Sequence, residues 1–236
     1  MNERFRNRTD AGRQLATGLS DYAGRADVRV LALPRGGVPV AYEVACALDA
    51  PLDVFLVRKL GLPGNEELAM GAIASGGVMV LNQELVHTLN VSAAAIDAVV
   101  QTEMRELERR DRRYRDDRPA QDIAGCTAIV VDDGLATGST MQAAVAALKQ
   151  EHPKAVVVAV PVAAPEICAA FRREVDDVVC VLRPEPFHAV GSWYDDFSQT
   201  TDEEVHQLLA AARDCIHTNT NTNTGLTPMR RYNESR

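Results

Sequence analysis

Two adjacent acids, Asp132 and Asp133, follow the apolar run Ala128-Ile129-Val130-Val131 and precede a loop of small residues, Gly134-Leu135-Ala136-Thr137-Gly138-Ser139-Thr140. A helical pattern starts at Met141. The order reads as a buried parallel strand, a short loop and a helix start. Such a junction is a natural anion site, because loop amides lack partners there and the helix dipole places partial positive charge at that end. Gly134 and Gly138 allow a close backbone approach, and Thr137, Ser139 and Thr140 add hydroxyl donors. The acids suit a second task, accepting hydrogen bonds from sugar hydroxyls or helping to hold a divalent cation. A phosphate a few ångströms from a diol outlines a phosphorylated ribose. The bland alternative is a strand-to-helix loop with two solvated carboxylates and no ligand.

Two more clusters carry charge suited to the same work. Val28-Arg29-Val30-Leu31-Ala32-Leu33 reads as a strand running into Pro34-Arg35-Gly36-Gly37 and a helix to about Leu48. Arg35 offers a forked cation for bidentate phosphate contact, although the tripeptide alone is equally a plain turn. Pro51 to Val57 reads as a strand ending in Arg58-Lys59. Ligands bind at that edge of open α/β sheets, which favours a charge-neutralising role over a merely solvated strand end.

The elements that position these groups alternate strand and helix. Residues 10–22 read as a short amphipathic helix with Asp10 as N-cap and Leu15, Leu19 and Tyr22 on one face, carrying no evident chemistry. Residues 60–68 are turn-rich and expected to be mobile. Ala69–Ala74 and Val78–Leu81 flank Ser75-Gly76-Gly77 as a hairpin. Residues 92–117 read as a long helix capped by Ser92, whose second half alternates in charge and suits a solvated, ion-paired face better than a nucleic-acid surface. Two further strands, Ala155–Val160 and Asp176–Leu182, and a helix opened by Pro165 follow. Five core strands joined by short loops predict an α/β fold with a doubly wound, mainly parallel sheet. Thr201-Asp202-Glu203-Glu204 opens a final helix to about Cys215. One domain over 1–216 and a disordered polar tail over 217–236 are expected.

Composition narrows the class. The chain has 236 residues and a net charge of −8, which weighs against nucleic acid or an anionic membrane as main partner. No apolar run is long enough to span a bilayer, and the polar start of the chain makes a cytoplasmic location the expectation. Cys46, Cys126, Cys168, Cys180 and Cys215 are scattered and read as reduced thiols rather than disulfides or zinc ligands.

Val130-Val131-Asp132-Asp133-Gly134-Leu135-Ala136-Thr137-Gly138-Ser139-Thr140 resembles the ribose-phosphate motif of the type I phosphoribosyltransferases. The resemblance covers roughly residues 10–215 and is most specific at this loop. It implies transfer of the 5-phosphoribosyl group from phosphoribosyl pyrophosphate (PRPP) to a nitrogenous acceptor, with magnesium as cofactor and release of pyrophosphate. Asp132 and Asp133 would hold the ribose hydroxyls and could help hold the metal, which substrate and water would largely coordinate. Residues 134–140 would cradle the 5′-phosphate, and Arg35-Gly36-Gly37 the pyrophosphate, where the family often has a cis peptide. Arg58 and Lys59 would neutralise the leaving group, placing them with the acid pair among the catalytic residues. A mobile loop, here about 60–68, would cover the site. It carries Glu66 and Glu67 instead of the basic residues and histidine of the orotate type. Ala136 stands where 6-oxopurine transferases have an aspartate, which makes the adenine or orotate types the nearer match. A small hood over 184–200 would select the acceptor, with Phe187, Trp193, Tyr194 and Phe197 stacking a planar base. The same aromatics equally suit a satellite core. His188 there is a candidate acid or base, though a structural or surface role fits it better. Family members are often homodimers. A PRPP-binding regulator without turnover and a phosphoribosyl hydrolase are the alternatives.

Overall fold

The computed structural model describes residues 4–116 and 118–222, without the side chains of Glu66, Glu67, Asp214 and residues 216–222. In chain order the elements are α1 (Arg8–Thr17), β1 (Val28–Ala32), α2 (Gly37–Leu48), β2 (Leu52–Val54), β3 (Val57–Leu62), β4 (Asn65–Ala74), β5 (Met79–Leu81), α3 (Gln83–Thr88), α4 (Ala93–Arg115), β6 (Thr127–Val131), α5 (Ser139–Gln150), β7 (Ala155–Val162), α6 (Pro165–Phe171), β8 (Asp177–Leu182) and α7 (Asp202–Thr222).

Five strands form a parallel sheet in the order β2-β1-β6-β7-β8. All of β6 is buried, as a strand covered on both faces must be, which explains its unbroken run of apolar and small residues. One face packs under α1, α2 and α7 through residues such as Leu15, Val38, Val44 and Leu209. The other packs under α5 and α6 through Met141, Val145, Cys168 and Phe171. This is the doubly wound α/β architecture the alternation predicts. The strand order reverses between β1 and β6, and in open sheets of this kind the crevice beyond that point receives ligands. β1 and β6 pair in register from Val28↔Thr127 to Ala32↔Val131, so the loops that follow them start at one level.

The fold departs from the expected elements in several places. The run 51–57 is not one strand. β2 ends at Val54, the buried pair Phe55-Leu56 turns the chain out of the sheet, and β3 starts a second, antiparallel sheet, β3-β4-β5. Arg58 and Lys59 therefore lie within a hairpin strand, not at a core strand end. An apolar run shows burial but not which sheet it joins. Residues 60–68, read as loop, form the tip of the β3–β4 hairpin, turning through Pro63-Gly64 with Leu62 opposite Asn65 and Gly64 at φ 83°. The expected hairpin across Ser75–Gly77 is present.

At the N-terminus, α1 is capped by Asn7, whose side chain accepts from the Asp10 amide, so Asp10 lies in the first turn and is not the cap. α4 is capped by Ser92 as expected. Its charged half is largely ion-paired, Glu106 with Arg109 and Arg110, but Arg115 is buried, held by Asp53, Asp111 and the Val54 carbonyl, and so leaves the solvated face. Thr201 and Glu204 form the reciprocal cap of α7. That helix continues past Cys215 to Thr222, where the polar sequence suggested a tail, because adding a turn to an existing helix is easier than starting one. The rest of the expected tail, from residue 223, lies outside the described residues. Among the described residues no helix is long and apolar enough to cross a membrane, and no cysteine is in a disulfide.

Candidate functional site

The two glycine loops meet at the switch point. The Leu33 amide donates to the Val131 carbonyl at 2.9 Å, which ties the end of β1 to the start of the acid pair. Beyond it the Pro34–Arg35 peptide is cis. Gly36 has an ordinary helical backbone, φ −60° and ψ −32°, so its dihedrals do not demand glycine. Proximity does: a Cβ on Gly36 would sit 2.0 Å from Asp133 Oδ2, and one on Gly37 would sit 2.7 Å from the Val131 carbonyl oxygen. These glycines let the first loop press against the carboxylates of the second. Gly138 differs, being the N-cap of α5 at φ 72°, a left-handed conformation that favours glycine. Gly138 gives α5 no side-chain cap; the Ser139 amide makes one long bond to Thr137 Oγ1 at 3.4 Å, and the helix start is otherwise suited to an outside acceptor. Thr137 and Ser139 hydroxyls lie 3.2 Å apart beside it. Ala136, Thr137 and Thr140 are exposed, whereas Leu135 is buried and bonded through its amide to the Val162 carbonyl, so it lends the loop only backbone.

Asp132 and Asp133 sit half-buried at the floor. Burial pushes the Asp132 carboxyl well above the usual range, and the neighbouring charge of Asp133 adds to it. Burial also raises Asp133, opposed by a cation that the sequence reading passed over, Arg8. Arg8 Nε lies 2.8 Å from Asp133 Oδ2. Arg8 opens α1, the helix read as carrying no chemistry; contact across 125 residues leaves no trace in local sequence.

The cationic candidates spread around this floor. Lys59 Nζ reaches Ser139 Oγ at 3.4 Å, joining β3 to the start of α5. Arg58 is paired with Glu103 of α4 at 2.6 Å. Arg35 points towards Asp202 at the start of α7, 3.9 Å away. A cleft of about 700 Å³ opens beside the loops, lined by Pro34, Arg58, Lys59, Thr102, Glu103 and Thr140 among others, with Ala98, Val99 and Leu62 as apolar wall. Its size suits a small-molecule ligand. The sequence reading missed α4 as a wall, since its cleft-facing residues interrupt no pattern. Asp132, Asp133 and the four hood aromatics do not line this cleft.

The hood aromatics pack chiefly on one another. Tyr194 is 4% exposed, stacks on Phe5 at 5.4 Å and on Phe197 at 5.0 Å, and donates its hydroxyl to the Asp133 carbonyl at 2.5 Å. Phe187 and Trp193 pack against the same small core, together with Phe5 and Val162. Of the four, Phe197 has an exposed ring, with the Arg8 guanidinium 3.9 Å above its centroid. His188 is exposed.

A mainly parallel sheet covered by helices on both faces, with two glycine loops meeting at its switch point, defines a doubly wound α/β protein. Comparison with known proteins makes this specific: the chain belongs to the phosphoribosyl transferase domain family, which it matches over residues 3–190. Two relatives from Mycobacterium tuberculosis (strains CDC 1551/Oshkosh and ATCC 25618/H37Rv), provisionally named phosphoribosyl transferases, are each 49% identical over 208 residues, 88% of this chain. The chain spans 47% of the length of those relatives. The crystal structure of TT1426 from Thermus thermophilus is 43% identical, superposes with a TM-score of 0.80, and matches over 88% of this chain and 98% of that one.

Proposed function

We propose that this chain transfers the 5-phosphoribosyl group of PRPP to a nitrogenous acceptor, releasing pyrophosphate with the help of magnesium. The observation that carries the reading is the meeting of two glycine loops and an acid pair at one switch point. The 134–140 loop and the uncapped start of α5 bind the 5′-phosphate. Asp132 and Asp133 hold the diol. The first loop with Arg35, and the hairpin with Arg58 and Lys59, receive the pyrophosphate, for which the adjoining cleft has room. The bond from the anomeric carbon to pyrophosphate breaks, a bond to the acceptor nitrogen forms, and that nitrogen gives up its proton. Positive charge develops on the ribose ring, so fixing the sugar and stabilising the departing anion lower the barrier.

Magnesium neutralises the leaving group when bound. The donor set fits it: two adjacent carboxylates can contribute, while among the described residues no group of three or more His, Cys, Asp or Glu forms a complete cage. Substrate oxygens and water would have to supply the remaining ligands. Of the hood aromatics, Phe197 is the most exposed and the one an acceptor could reach, although the Arg8 guanidinium lies over its ring.

A second reading, PRPP binding without turnover, is favoured by the Arg58–Glu103 pair, which keeps one expected pyrophosphate ligand occupied from within. Pyrophosphate release from PRPP, measured with and without a panel of bases and amines, separates the readings. Acceptor-dependent release supports transfer. Binding without release supports a regulator, and release without acceptor a hydrolase. Asp133→Asn is expected to weaken PRPP binding by roughly 1–3 kcal/mol, a lost charge-assisted contact, and unchanged affinity in calorimetry would remove the diol from Asp133.

A further inference from the structure

Arg8 stands where three separate segments converge. Its Nε and Nη2 both lie 2.8 Å from Asp133 Oδ2, its Nη1 donates to the Ser198 carbonyl at 2.7 Å, and its guanidinium covers the Phe197 ring. A Cβ built on Gly36 would lie 3.3 Å from its Nε, so the first glycine loop runs alongside. The side chain is 11% exposed, a position a cation holds only with partners. Both donors fall on one carboxylate oxygen. Among the described residues no other residue donates to Asp133 Oδ1; the one further donor near the carboxylate is the residue's own amide. A plug filling the site would be expected to grip both oxygens in the forked geometry that arginine favours with carboxylates. Here one oxygen is pinned and the other left uncommitted. Two further bonds fix the same residue: its amide donates to Asp132 Oδ1 at 2.8 Å, and its carbonyl accepts from Tyr194.

We propose that Arg8 is a positioning residue for the sugar: it anchors Asp133 Oδ2 so that Oδ1 faces the ribose diol, and it ties that carboxylate to the hood through Ser198 and Phe197. The proposal rests on the phosphoribosyl reading of the site. Arg8 acts through Asp133, so it governs recognition of the hydroxyls and not of the phosphate, which the 134–140 loop holds separately. Lysine at this position would keep the charge but not the two-donor fork or the guanidinium placed over Phe197.

Calorimetric titration of the 236-residue chain with ribose 5-phosphate and with its 2,3-dideoxy analogue tests this, in the native chain, Arg8→Ala and Arg8→Lys. Arg8→Ala is expected to weaken ribose 5-phosphate about tenfold, a lost charge-assisted anchor, while the analogue, which lacks the diol, changes by less than about twofold. Arg8→Lys falls between native and Arg8→Ala for ribose 5-phosphate. Equal weakening for both ligands means a structural role and overturns the proposal; so does unchanged affinity, and tighter binding means a plug. Thermal unfolding checks that each variant folds, and if Arg8→Ala does not, Arg8→Lys carries the same comparison. A native chain that binds neither ligand, nor PRPP with magnesium, refutes the phosphoribosyl reading itself, independently of the variants.

Discussion

At the scale of single residues, the site is built on carboxylates held against their preference. Asp132 has its carboxyl pushed well above the usual range, by burial first and by Asp133 second. A group whose folded pKa lies above its unfolded value favours folding at low pH and loses that contribution as pH rises through the folded value. Above the usual carboxylate value Asp132 therefore opposes folding. Asp132→Asn keeps an oxygen for the Asp133 amide and removes the charge, so it is expected to raise the melting temperature at pH 7 and to leave stability less dependent on pH on the acid side, while weakening PRPP binding. A lower or unchanged melting temperature would show that the site is not strained in this way. Gly36 makes the complementary point. Gly36→Ala drives a methyl group into Asp133 Oδ2 and is expected to abolish measurable PRPP binding while far-UV circular dichroism stays native. Retained binding would mean that the carboxylate moves aside without consequence.

At the scale of elements, the site depends on how α4 and α7 brace the first loop. Asp202, the first residue of α7, accepts from the Tyr114 hydroxyl at 2.7 Å and pairs with Arg113 at 3.3 Å, with Arg35 3.9 Å away. Burial, then the bond to Asp202, pushes the Tyr114 phenol up to about 12. The sign follows: stabilisation from this group is complete below the usual tyrosine value of about 10 and is lost as pH rises to about 12. Tyr114→Phe is expected to cost about 1–2 kcal/mol at neutral pH. Urea unfolding across that alkaline window should show a shallower fall for the variant than for the native chain. Parallel curves would mean that Tyr114 is not the group responsible, since Tyr22, also pushed to about 12, titrates over the same range. β3 is the other decisive element. Its departure from the main sheet sets Arg58 and Lys59 beside α4 and α5, on the wall of the cleft.

At the scale of the whole molecule, one sheet buried on both faces carries the two glycine loops at the carboxyl ends of its strands. The loops, the hairpin and the hood come from distant parts of the chain, so a ligand touching them adds to the stability of all. PRPP with magnesium at a hundred times its dissociation constant is expected to add about 2.7 kcal/mol and raise the unfolding midpoint accordingly. Inorganic phosphate at the same concentration should raise it less, having no diol or pyrophosphate to engage. Equal shifts would show that only the 134–140 loop takes part. Because the chain spans 47% of its mycobacterial relatives, these measurements describe the part of such proteins that this chain matches.

The sequence alone determined whatever is local. Apolar runs marked most of the strands and helices, and the small-residue loop after Val131 with the acids before it marked a strand-to-helix junction, because each is written in neighbouring residues. Only the tertiary structure decided which sheet Val57–Leu62 joins, that Arg8 reaches Asp133, that Tyr194 is spent on a small core and a carbonyl, and that Gly36 is glycine to make room for a carboxylate. Those facts depend on contacts between residues far apart in the chain, and the spacing of a sequence carries no record of which distant side chains the packed fold will bring together.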